Sequence, residues 1–206
     1  MGRMAIESVL SQALVDLAGV RHTRSAAQDG VPKLAGLYAF YGDEQAWSDL
    51  DLSPAFDDQP LYVGKAEKSL NGRDVGTHFT AGKTGSSTVR RSLAALLITH
   101  LDLTAVPRNL SRPDGSANYA LEPSGDRRLS RWMDERLLLA TWIKPERVLL
   151  DEVETAVLLK LRPPLNLDKV GEPRERLRRA RGTLATQSRG WAARHTSRSP
   201  YPEDDL

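Results

Sequence analysis

The sequence contains no cysteine among its 206 residues, which excludes disulfides, thiolate zinc sites and a cysteine nucleophile. Histidine is scarce: His22, His78, His100 and His195 lie scattered, with no paired spacing on one element of the kind a metal cluster needs. No apolar run approaches the ~18 residues that span a bilayer. No charged-then-apolar leader opens the chain, and Ile6 stands where an acylation motif after Met-Gly requires serine or threonine. These absences lead us to expect a cytoplasmic protein without a membrane partner. Net charge is also slight, formally +2. The pI of about 9.0 conceals an uneven distribution, acidic between Asp43 and Asp58 and basic after Lys160. The 40% hydrophobic and 27% charged composition is that of an ordinary globular protein, long enough for one domain with a sizeable core.

What is present begins with helical periodicity. Ile6, Val9, Leu10, Ala13, Leu14 and Leu17 predict an amphipathic helix over 4–18, ended by Gly19. Residues 21–33 read as a polar connection. Residues 34–41 and 61–65 read as strands, each with a tyrosine and a glycine, joined by a long polar loop holding a short helical turn near Trp47. Ser86 or Ser87 caps a helix running to about His100, with Val89, Leu93, Leu96 and Leu97 on its buried stripe. Arg90 and Arg91 fall off that stripe in the first turn, where a phosphate partner or simple solvation would suit them. Prolines and glycines make 104–128 a loop insertion. A short helix over 129–135, a third strand over 137–143 and a helix over 152–161 follow. Beyond Asn166 the chain turns polar, with an arginine-rich helix over 174–187 and a poorly ordered tail from Ser188.

One apparent phosphate loop is a decoy. Gly76 to Thr84 ends in Gly82-Lys83-Thr84, but five residues separate the glycines where the P-loop has four, and no strand precedes it. No nucleotide cofactor is expected. Two triplets, Gly36-Leu37-Tyr38 and Tyr62-Val63-Gly64, are more telling. With Lys65-Ala66 after the second, Arg73 on the next helix, Glu154 ahead of Leu158-Leu159, and Pro163-Pro164-Leu165-Asn166, they resemble the pattern of the GIY-YIG nuclease superfamily. The resemblance covers residues 34–167. Arg73 lies one residue further from Tyr62, and His78 one further from Arg73, than in the repair-type members of that family.

The resemblance implies an α+β fold with a small, mainly antiparallel three-stranded sheet flanked by helices, to which the sequence pattern adds an N-terminal helix and a basic C-terminal helix. It divides the chain into an N-terminal helix and connection (1–33), a nuclease domain (34–167) and a basic extension (168–206). The implied activity is that of a small stand-alone endonuclease cleaving DNA, double-stranded or branched. Tyr62 is the implied general base and Tyr38 an orienting group, with Lys65, Arg73 and His78 beside them and Mg²⁺ or Mn²⁺ on Glu154. Gly36, Gly64 and Asn166 support the site, while Lys83, Arg90, Arg91, Arg174, Arg178 and Arg181 contact DNA. Phosphodiester hydrolysis needs a deprotonated water and cations for the phosphoryl charge. A free tyrosine, with pKa near 10, carries its phenolate at pH 7 only at a cost of about 4 kcal/mol, so a tyrosine base needs cations nearby. Glu154 has a rival role as the third residue of a capping box opened by Asp151. The whole chain has a rival reading too, as a nucleic-acid-binding module that keeps the scaffold without turnover.

Overall fold

A computed structural model describes residues 3–110 and 118–196, with side chains for all of these except 3–6, 73–75 and 192–196. Helix α1 (Arg3–Ala18) leads into a short α2 (Arg24–Gly30), then β1 (Gly36–Gly42), α3 (Glu44–Asp49) and β2 (Tyr62–Ala66). Next come α4 (Leu70–Arg73), α5 (Thr88–Leu96), β3 (Ala105–Pro107), β4 (Tyr119–Leu121) and α6 (Pro123–Arg136). Strand β5 (Leu137–Ile143), α7 (Leu150–Leu161) and α8 (Glu175–Thr196) are the last of the described elements. The main sheet is antiparallel and three-stranded, in the order β2-β1-β5. The α+β architecture is therefore as expected.

Strand β1 is central and buried on both faces, and its alternation divides the molecule into two cores. Leu37, Ala39 and Tyr41 point to one side, where they meet Val63, Ala140 and Trp142 under Ala13 and Leu17 of α1 and Val153 and Val157 of α7. Tyr38 and Phe40 point to the other, joining Tyr62 and Leu139 against α5, α6 and α8. The sheet ladder begins at Gly36 and Tyr62, later than the apolar runs. Leu34 instead lends its carbonyl to Leu70 N at 2.9 Å, and Leu61 is wholly buried at the strand entry.

Several expectations are corrected. Residues 21–33 contain α2, capped by the Thr23 side chain accepting from Ala26 N. The 104–128 stretch is not simply a loop: β3 and β4 pair as a second, two-stranded sheet, and α6 starts at Pro123. Residues 111–117 of that stretch lie outside those described. Helix α8 runs unbroken through Ser188 to Thr196, and Leu177, Leu184, Ala185 and Ser188 are buried. From Ser188 to Thr196 the expected poorly ordered tail is instead helical, and residues 197–206 lie outside those described. Helices α1 and α8 each contribute buried residues to a core. Among the described residues no helix is long and apolar enough to cross a membrane.

Candidate active site

The register Tyr38↔Gly64 between β1 and β2 creates the site. A Cβ built on Gly64 would overlap the Tyr38 hydroxyl, so the absent side chain is what lets the Tyr38 phenol lie across the edge strand. Tyr38 stacks on Tyr62, ring centroids 6.2 Å apart. A pocket of about 600 Å³ opens here, lined by Tyr38, Tyr62, Gly64, Lys65, Gly72 and Glu154 among others. Both tyrosines come from the α5/α6 side of the sheet, whereas Lys65 and Glu154 reach it from the α7 side. Because β2 is the outermost strand, the pocket wraps around its edge at Gly64 and collects residues from both faces. Strand β2 continues through Gly64 and Lys65 to Ala66.

Asn166 secures that edge. Its side-chain amide donates to Val63 O at 2.8 Å while its Oδ1 accepts from Val63 N at 3.0 Å. The asparagine thus satisfies backbone groups that an edge strand otherwise leaves open. Leu165 N adds a bond to Leu61 O at 2.9 Å.

His78 is fully buried, with Nε2 2.8 Å from Tyr38 Oη and Nδ1 2.7 Å from Ser87 Oγ. The chain between Asp74 and His78 forms a π turn, whose i→i+5 bonding takes in one residue more than an α turn. That turn absorbs the extra residue between Arg73 and His78 and brings the imidazole onto the tyrosine. Arg73 closes α4 next to Gly72, which lines the pocket; the Arg73 side chain lies outside the described residues.

Glu154 is no helix cap. Helix α7 has Leu149 at its N-cap without a side-chain cap bond, which puts Glu154 past the capping positions. Its side chain, 12% exposed, accepts from Lys169 Nζ at 2.9 Å. Lys169 also bonds Asp151 Oδ1 at 2.8 Å, and Lys65 Nζ lies 3.0 Å from the same carboxylate and 3.3 Å from Glu67. The lysines hold the Asp151 carboxyl below the usual carboxylate range, Lys169 first, and Asp151 in turn raises both ammonium groups. In the sequence Asp151 drew attention only in a capping role, and Lys169 went unnoticed. The three-residue offset of Asp151 from Glu154, one face of a helix, was an available signal, but Lys169 is brought in by tertiary folding.

Arg90 and Arg91 are corrected most sharply. Arg90 is completely buried. Its guanidinium donates to Asp126 Oδ1 at 3.1 Å, Ser130 Oγ at 2.9 Å and His78 O at 2.9 Å. Burial lowers its pKa while Asp126 opposes the shift. Asp126 also accepts from Gly82 N and Thr84 Oγ1, so a carboxylate holds the loop that mimics a phosphate nest. Arg91, also buried, donates to Gly85 O at 2.8 Å, and burial pushes it down to about 10. Neither presents its charge to solvent. Lys83 and Arg178 are exposed and Arg181 is half-buried. Arg174 is tied to Glu172 and to Arg162 O.

No curated protein and no solved structure matches the chain. A family model described as GIY-YIG catalytic domain matches residues 50–183, spanning Tyr62, Glu154 and Asn166; Tyr38 lies ahead of the match and joins the site through the β1–β2 ladder. With well over half its length inside that match, the chain belongs to the GIY-YIG nuclease superfamily.

Proposed function

We propose that the protein is a metal-dependent endonuclease that hydrolyses DNA phosphodiester bonds in the edge-strand pocket. The observation that carries this reading is the convergence of Tyr38, Tyr62, Lys65 and Glu154, from three separate elements, on one cavity. The donor set suits a divalent cation. Glu154 faces the pocket with a cationic group already on its Oε2, and the cavity has room for the waters that Mg²⁺ retains. Among the described residues no three His, Asp or Glu side chains form a cage, a pattern consistent with one carboxylate and a largely hydrated ion. Mg²⁺ or Mn²⁺ on Glu154 supplies positive charge for the phosphoryl and leaving oxygens.

The residues of the chain do the rest. Tyr62, as its phenolate, accepts the proton of the attacking water as the new P–O bond forms and the bond to the leaving oxygen breaks. The electron pair departs on that oxygen, whose charge the bound cation would stabilise. Tyr38 orients water or phosphate, its hydroxyl fixed by His78, which Ser87 holds in turn. In a consistent proton arrangement Ser87 Oγ–H donates to Nδ1, leaving Nε2–H to donate to Tyr38. Lys65 lowers the cost of a phenolate nearby. Arg73 brings a planar fork to the phosphate from the end of α4. Lys83, Arg178 and Arg181 contact the flanking backbone, where each phosphate contact contributes a salt-dependent increment of affinity.

Incubation of the protein with supercoiled plasmid tests the reading. We expect nicked or linear product with Mg²⁺ or Mn²⁺ and none with EDTA. DNA binding without cleavage under every divalent condition would instead make the chain a binding module on a nuclease scaffold.

A further inference from the structure

We propose that Lys169 is a resident counter-cation of the catalytic carboxylate: its ammonium occupies the place beside Glu154 that a divalent cation takes, and it leaves when that ion arrives. The inference rests on the nuclease reading of Glu154. Lys169 Nζ stands 2.9 Å from Glu154 Oε2 and 2.8 Å from Asp151 Oδ1. Two carboxylates spaced three residues apart on one face of α7 therefore converge on a single positive charge.

The surrounding contacts make this charge removable. Lys169 approaches from a loop beyond Asn166, with 34% of its side chain exposed and Asp151 at 64%. The exposed Lys169–Asp151 pair is weak, and although Glu154 is only 12% exposed, a lysine ammonium on a flexible stem is a mobile point charge. Lys169 also sits at φ +62, in the left-handed region that a non-glycine residue adopts at a cost. Asp151 is not stranded when Lys169 departs, because Lys65 Nζ remains 3.0 Å from the same oxygen. Glu154 is then neutralised by the incoming ion. Exchange of a lysine for a divalent ion raises the local charge by one unit, which matches the single negative charge of a phosphodiester linkage. The carboxylate is thus kept paired until metal arrives, and only the metal-loaded site carries the extra charge that draws in substrate.

The test is binding of Mn²⁺ alone, without DNA, followed by the EPR signal of the free ion. Lys169→Met should tighten Mn²⁺ binding by about threefold or more, Lys169→Arg should stay near the wild type, and Lys169→Met/Glu154→Gln should lose the gain. Unchanged or weaker binding by Lys169→Met overturns the proposal. If Glu154→Gln alone weakens Mn²⁺ binding while Lys169→Met leaves it unchanged, only the role of Lys169 falls. If Glu154→Gln also binds as the wild type does, the metal reading of Glu154 falls with it.

Discussion

At the scale of single residues, the chemistry depends on how tightly Tyr38 and Tyr62 are placed. Tyr62→Phe keeps the ring on its strand, so stability should fall by no more than about one hydrogen bond, roughly 1 kcal/mol. Loss of a general base should lower turnover by roughly 10²–10⁴-fold while DNA binding persists in a gel-shift assay. Wild-type rate should climb with pH, and the Tyr62→Phe enzyme should not follow; a variant with the wild-type rate and pH profile would demote Tyr62 to a packing aromatic. Gly64→Ala probes the other tyrosine. Its methyl would overlap the Tyr38 hydroxyl, and the phenol, stacked on Tyr62 and bonded to His78, could move aside only by giving up those contacts. Overpacking of this kind costs about 1–3 kcal/mol, so we expect both a lower urea midpoint and a loss of cleavage as the phenol is pushed off His78. Full activity in Gly64→Ala would show that the Tyr38–His78 contact is dispensable.

At the scale of elements, Arg90 shows why a local reading of a helix face fails. Its position off the apolar stripe of α5 suggested a solvent-facing cation, yet α6 folds over that face and supplies Asp126 as partner. Nothing in the local sequence announces a partner 36 residues away. Removal of one member of a buried pair leaves the other uncompensated, so Arg90→Met should destabilise the protein by about 3–5 kcal/mol. Arg90→Met/Asp126→Leu should recover part of that in urea unfolding. A variant Arg90→Met as stable as the wild type would mean that Asp126 is not buried with its charge. Helix α8 carries a similar lesson. Its arginines drew attention to DNA, but Leu184 and Ala185 fill the core beside α5, and Leu177 is buried as well. Truncation after Gly171 should therefore abolish the cooperative thermal transition rather than merely weaken DNA binding; a truncated protein that melts normally would contradict this packing.

At the scale of the whole molecule, the sequence disclosed the sheet and most of the long helices, because β-type runs and helical periodicity around α1, α5 and α7 are strong signals. Three short elements escaped: α2 is polar, and β3 and β4 are held by their pairing and by neighbours rather than by propensity. The tyrosines, Glu154 and Asn166 were visible from their order along the chain. Their arrangement was not, since it requires an edge strand around which residues of both sheet faces can meet. The His78 spacing looked irregular until the π turn accounted for it, and the Asp151–Lys169 contact exists only in the folded chain.

The central claim is that Glu154 is a metal-binding catalytic carboxylate and no mere ion-pair partner. Plasmid cleavage in Mg²⁺ by Glu154→Gln, with its fold checked by circular dichroism, tests this most directly. The substitution keeps the size of the side chain and removes the charge that would hold the ion. We predict a folded protein with no detectable nicking; near-wild-type, Mg²⁺-dependent cleavage by Glu154→Gln would contradict the account.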